Sequence, residues 1–200
     1  LTKAGPLSIV APAGPAVTFL ERMLEPWEDD LAVRAAHSEL TTRPSYDIVA
    51  FDAAAAGAVV WEAPGVTVRA SEVRHEPVLP AVGYRVETDD GVVVISGDTL
   101  ACDEVASLAE GADVLVYEAM LFEVIEQWPD TTHFVMDYHA DTRLIGGQAS
   151  QLGIETLVLT HLIPEPATPE LADQYVRNIR DGGFTGQLIV ADDLDAVTLG

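Results

Sequence analysis

This sequence predicts a layered α/β domain, and three observations carry that expectation. Short β-branched runs alternate with stretches of helical period along all 200 residues, without an internal repeat or low-complexity tract. Gly, Pro and Asp punctuate the runs, and Asp89-Asp90-Gly91 between two apolar runs is a strong hairpin signal. The apolar content of 48% is enough for a real core, so residues 1–200 are expected to form one domain.

Taken in order, 7–10 reads as a strand followed by a loop with Pro12, Gly14 and Pro15. Val17, Leu20, Met23 and Leu24 then recur at helical spacing. The polar stretch 29–45 is weakly patterned and reads as a loop or irregular helix. Strands follow at 47–51, 59–62 and 66–73, separated by Ala/Gly and Pro64-Gly65 turns. The hairpin pairs 83–88 with 92–95. A short helix at 101–110 closes on Gly111, a favourable stop, and 114–117 is a buried strand. Residues 141–152 form a helix ended by Gly153, and 157–160 another buried strand. Thr168-Pro169 supplies the cap and first-turn proline of a helix to about Arg180, ended by Gly182-Gly183. Strands at 187–190 and 196–199 complete the chain.

The composition excludes several classes. No apolar run approaches the ~18–20 residues of a membrane span, and the first segment has no secretory-signal pattern. The single Cys102 rules out an internal disulfide and any multi-cysteine zinc site, which makes a reduced, cytoplasmic setting the default. Thirty-three acids face ten bases, one of them lysine, for a net charge of −23. Such a surface repels nucleic acid unless a local basic patch overrides it, and the arginines are scattered singly. High salt would shorten the reach of that self-repulsion to a few Å, so a halophilic protein is one reading and arginine-biased composition the other. The chain opens on Leu1 and enters a strand-like segment at once, which suggests further sequence upstream.

Four apolar runs terminate on metal-binding residue types. Residues 66–73 lead to His75, 92–95 to Ser96-Gly97-Asp98, 114–117 to Glu118, and 157–160 to His161. Strand ends gather along one rim of an α/β sheet, where such folds place their ligand crevices. Imidazoles and carboxylates on one rim are what a zinc-type hydrolytic site requires. Singly, His75 reads first as a surface or satisfied core residue, Asp98 equally as a helix cap or turn, and His161 also as a core hydrogen-bonder. His133 beside Phe134 lies in a segment, 128–138, suited to a lid over the site. His37 reads as surface, Cys102 as packing under a helix start, and Asp192-Asp193 as a turn close to the same rim. Arg85 reads as either a carboxylate partner or an exposed strand residue.

Jointly, several stretches resemble a known family: His75-Glu76-Pro77 with 81–86, Ser96-Gly97-Asp98-Thr99, 113–119 through Glu118-Ala119, Tyr138-His139 and Leu159-Thr160-His161. In this order, over nearly the whole chain, they resemble the metallo-β-lactamase superfamily, in particular ribonuclease Z and its small-molecule hydrolase relatives. The resemblance implies an αββα sandwich with two metal ions, usually zinc. His75 would bind one ion, Asp98 bridge both and His161 bind the other. Asp98, Glu118 and His139 would form the catalytic set: His139 protonates the leaving group, Glu118 orients His139, and a metal-bridging hydroxide attacks.

Three departures shape the expectation. The family's His-x-His-x-Asp-His motif is absent, since His37, His75, His133, His139 and His161 have no such spacing. Three donors cannot serve two zinc ions, so the chain is read as the C-terminal part of a longer domain, N-terminally truncated, with weak metal binding and little catalysis of its own. Truncation would also bare apolar edges and favour a homodimer. Tyr117 stands where ribonuclease Z commonly has His. The connection from Tyr84 to Asp98 leaves no room for an arm that grips tRNA. With the acidic charge, this favours hydrolysis of an ester-like bond (phosphodiester, sulfate ester or lactone) in a small molecule. The alternatives are tRNA 3′ processing and a non-catalytic binding module that has lost its metal motif.

Overall fold

The computed structural model describes residues 7–37 and 46–199, which sort into two compact units divided along the chain between Asp52 and Ala53. In the first, β1 (Leu7–Pro12) runs parallel to β2 (Tyr46–Phe51) in unbroken register from Leu7↔Tyr46 to Pro12↔Phe51. Parallel strands need a crossover, supplied by α1 (Pro15–Arg22), a 3-10 turn and α2 (Glu28–His37). Pro15 starts α1 where its missing N–H costs nothing, and α1 packs on both strands. The stretch expected to be irregular is a regular helix as far as His37. Its acids, Glu28, Asp29 and Asp30, sit in the first turn and its bases, Arg34 and His37, in the last, complementing the helix dipole. Arg34 also pairs with Asp30 one turn away. End charges rather than an apolar face support α2, which buries no side chain fully. Residues 38–45 of the same stretch lie outside the described residues.

The second unit is built on a seven-stranded sheet in the order β3-β4-β5-β6-β7-β8-β9. These are Ala58–Ala63, Val66–Val73, Ala81–Thr88, Gly91–Ile95, Val114–Met120, Thr156–Ile163 and Gln187–Val190. β3 to β6 form an antiparallel meander joined partly by the Pro64-Gly65 and Asp89-Asp90 turns, and β6 to β9 are parallel. The change of direction follows from connection length. Each parallel pair is joined through a helix: α3 (Asp103–Ala109) precedes β7, α5 (Thr142–Leu152) precedes β8 and α6 (Pro169–Asp181) precedes β9. A one-turn helix, α4 (Phe122–Ile125), and a 3-10 segment (Asp130–Asp137) lie between β7 and α5.

The core lies between these helices and one sheet face. Leu115 and Tyr117 of β7 and Leu157 and Leu159 of β8 meet Val105, Ile145, Tyr175 and Ile179, all fully buried. At Gly146 the two long helices come so close that a Cβ would lie 2.3 Å from the Ile179 carbonyl oxygen. The α/β class expected from the sequence is the class observed.

Four expectations need correction. The helix placed at 101–110 is shorter, with buried Cys102 at its N-cap. β7 does not stop at Tyr117 but runs on to Met120, so Glu118 lies inside a strand. β8 likewise continues past His161 to Ile163, because pairing with β7 resumes after a bulge. Residues 196–199 form no strand, since no neighbour pairs with them. No helix among the described residues is long and apolar enough to cross a membrane.

Candidate metal centre

Two strand exits are sewn together first. Beyond β4, the Arg74 amide donates to the Thr99 hydroxyl at 3.0 Å, and the Leu100 amide donates to the Arg74 carbonyl at 2.9 Å. These bonds hold the chain that carries His75 beside the turn that carries Asp98. That turn depends on Gly97, whose φ is +66° and whose Cβ would lie 2.5 Å from the Val82 carbonyl oxygen. Only glycine fits there, and the backbone it permits leaves Asp98 exposed at the rim.

His161 reaches the rim by a different device. Thr160 pairs with Glu118 and Leu162 with Ala119, so His161 is the extra residue of a β-bulge. Its φ of 44° lies in the left-handed region, a conformation costing about 1–3 kcal/mol for a non-glycine residue. Bulges re-aim side chains beside functional sites. Here the bulge sets the His161 Nε2 3.6 Å from the Asp98 Oδ2.

Glu118 lies behind this rim, almost wholly buried. Its Oε1 accepts hydrogen bonds from the Thr99 amide (3.1 Å), the Ala140 amide (3.1 Å) and the His139 Nδ1 (3.0 Å). Burial pushes the Glu118 carboxyl above its ordinary pKa, and the bonds from His139, Thr99 and Ala140 offset only part of that. With Nδ1 committed to Glu118, the other ring nitrogen of His139 is the one left for chemistry. The His139 ring stacks on His161 with centroids 5.3 Å apart and meets His75 edge-on at 5.2 Å. Tyr138 stands 4.9 Å from both His75 and His139.

His75, Asp98, His139 and His161 are thus linked by contact, with Glu118 supporting them from beneath. A second grouping overlaps this one, because ligand atoms of Glu118, His139 and His161 lie within 4.8 Å of one another. The bonding of Glu118 Oε1 favours the orienting role for that carboxylate, as three donors already occupy it. Its Oε2 is buried without a hydrogen-bond partner among the described residues.

The exposed donors suit a divalent cation. Two ligands on one tetrahedral zinc at about 2.0–2.1 Å stand roughly 3.3 Å apart, close to the Asp98–His161 spacing. Mixed imidazole and carboxylate donors also match zinc chemistry. Three donors still fall short of two complete zinc coordination spheres.

The remaining candidates resolve individually. Arg85 is mostly buried, not an exposed strand residue. Its Nε bonds Glu87 at 2.7 Å, and its NH1 donates to the Leu108 and Glu110 carbonyls, closing the end of α3. His133 contacts the Trp128 carbonyl through Nε2 at 3.0 Å. His37 is exposed. Asp192 and Asp193 do form a turn, the Asp193 amide donating to Asp192 Oδ1, and they line a cavity of about 510 Å³ with His161 and Glu165. Tyr117 faces the core, one residue out of phase with Glu118. Sequence reasoning gave no role to Ser96 and Thr99, which wire the site: the Ser96 Oγ accepts from the Glu118 amide at 3.2 Å. Their signal was the Ser96-Gly97-Asp98-Thr99 string itself, read only for its aspartate.

Known proteins resemble this chain in sequence and in fold. The family model described as "Beta-lactamase superfamily domain" matches residues 17–162. Ribonuclease Z of Mycobacterium bovis (strain BCG / Pasteur 1173P2) is 35% identical over 194 residues, covering 96% of this chain and 67% of that protein. A putative ribonuclease Z of Mycobacterium tuberculosis (strain CDC 1551 / Oshkosh) is 34% identical, with 96% and 84% covered. Among solved structures, the metallo-beta-lactamase fold protein YhfI from Bacillus subtilis matches with a TM-score of 0.63 at 19% identity, over 93% of this chain and 62% of that one. The short form of human tRNase Z matches with a TM-score of 0.61 at 18% identity, over 99% and 68%. The chain therefore spans about two thirds of the length of several of the proteins it matches.

Proposed function

The chain belongs to the beta-lactamase superfamily, in its ribonuclease Z-like branch, and from that premise we propose that it serves metal-dependent hydrolysis of a phosphodiester, of the ribonuclease Z type. The observation that carries this reading is the convergence of His75, Asp98 and His161 beside a His139–Glu118 pair on one sheet rim. His75, Asp98 and His161 would hold the cation. When bound, zinc supplies Lewis-acid charge at the phosphoryl oxygens and acidifies water. Glu118 fixes the tautomer and orientation of His139. His139 can then deliver a proton from its outer nitrogen to the departing oxygen.

A second reading, hydrolysis of a small-molecule ester, is favoured by one specific observation. Every described arginine is engaged by an acid or a backbone carbonyl, including Arg74 with Glu104, Arg143 with Glu123 and Arg180 with the Phe184 carbonyl. At −23, the chain offers RNA no free cationic patch among the described residues.

The test is zinc-supplemented hydrolysis of bis(p-nitrophenyl) phosphate and of a precursor tRNA across a KCl series. Slow zinc-dependent cleavage, lost in His139→Ala and His161→Ala, is expected, since three donors hold the cation weakly. Cleavage of the tRNA selects the ribonuclease reading, and cleavage of the small ester alone selects the second. Equal rates in wild type and both variants would sink the hydrolytic assignment. Zinc analysis of the same chain is expected to find fewer than two tightly held ions.

A further inference from the structure

The 3-10 segment between α4 and α5 places an aromatic pair beside the donors that the cation chemistry does not use. Tyr138 touches His75 and His139 edge-on or tilted, with centroids 4.9 Å from each. Phe134 lies 6.3 Å from Tyr138, tilted by 44°, and is 57% exposed. A large apolar ring that open contributes little to a core. The start of the segment is closed by local bonds: the Thr132 amide and hydroxyl both donate to the Pro129 carbonyl, and His133 contacts the Trp128 carbonyl. Two rings thus lead in order from solvent, at Phe134, to the imidazoles beside Tyr138.

We propose that Phe134 and Tyr138 form a stacking subsite for a planar ring attached to the phosphate being cleaved, a nucleobase if the substrate is RNA. The inference rests on the phosphodiesterase reading above and deepens it. Stacking needs no positive charge, so it suits a protein whose described arginines are all engaged. A ring face accepts any base, which gives affinity without sequence preference. The incoming ring would lie on the open side of the Phe134–Tyr138 pair, with Phe134 supplying most of the exposed surface and Tyr138 the edge next to His139. An aryl ester would use the same surface.

The experiment titrates the zinc-supplemented chain with AMP, phenyl phosphate and ribose 5-phosphate, which share a phosphate and differ in the ring. Ring-bearing ligands are expected to bind roughly 5- to 100-fold more tightly than ribose 5-phosphate. Phe134→Leu, which keeps an apolar side chain and removes the ring, should erase most of that advantage, and Phe134→Tyr should retain it. An advantage confined to AMP assigns the subsite to nucleotides; one confined to phenyl phosphate assigns it to aryl esters. Equal affinity for all three ligands, or an advantage unchanged in Phe134→Leu and Tyr138→Leu, overturns the subsite while leaving the phosphate site standing. Binding of none of them removes the phosphate site and the platform together.

Discussion

Two residues control the rim from opposite directions, one by lacking a side chain and one by burying a carboxylate. At Gly97 a methyl group would meet the Val82 carbonyl at 2.5 Å in a left-handed backbone. Gly97→Ala should therefore cost about 1–3 kcal/mol and weaken zinc binding by displacing Asp98, measured by thermal melts and zinc titration. Glu118→Gln keeps an oxygen for Thr99 and Ala140 and loses the charge that orients His139. Hydrolysis is expected to fall about 10- to 100-fold with the fold intact. The pH dependence of stability separates charge from shape. The folded state raises the pKa of Glu118 from its ordinary 4.5, so it binds a proton that the unfolded chain has already released. The benefit is full below that value and lost as pH rises through the raised one. Glu118→Gln cannot ionise, so its melting temperature should gain on wild type as pH rises through that window.

Among the elements, α4, α5 and α6 are tied by a single carboxylate, Glu123. Its Oε1 accepts from Gln174 (2.7 Å) and Asn178 (2.6 Å), and its Oε2 meets Arg143 at 3.2 Å. Burial alone would raise its pKa, but the bonds from Asn178 and Gln174 and the charge of Arg143 outweigh it and hold the carboxyl below 4.5. Its stabilisation is present above 4.5 and lost as pH falls through the lowered value. Glu123→Gln should thus be destabilised by about 1–3 kcal/mol at neutral pH, with the gap closing in paired melts as pH falls through the lowered value. A gap independent of pH would assign the tie to packing. The same tie begins the segment that carries Phe134, Tyr138 and His139, so loosening α4 should reach the site.

For the whole molecule, the charge of −23 sets the terms. Self-repulsion at low ionic strength is screened within about 3 Å at 1 M salt. Thermal melts are expected to shift upward from low to multimolar KCl, and unchanged stability would remove the high-salt reading. Within the screening length the same charge opposes RNA, so a bound cation and the aromatic pair are the features through which a phosphodiester could be held.

The order of strands and helices was legible because hydrophobic period and Gly, Asp and Pro punctuation are local properties. Asp-Gly placed the β5–β6 hairpin and Thr168-Pro169 the start of α6, whereas α2 was readable only as a loop or irregular helix because end charges, not an apolar face, support it. Of the site, the residue types at the strand exits could be read, but not their means of arrival. His161 depends on a bulge visible only in its pairing with β7, and Glu118 sits within a strand whose continuation past Tyr117 needs β8 as partner. The wiring through Ser96 and Thr99 joins groups about twenty positions apart, and no local pattern encodes a bond of that span. Sequence alone therefore determined which chemistry is available and in what order along the chain. Tertiary pairing decided which of those side chains share one rim, because a one-residue shift in a strand exchanges the face its side chains occupy.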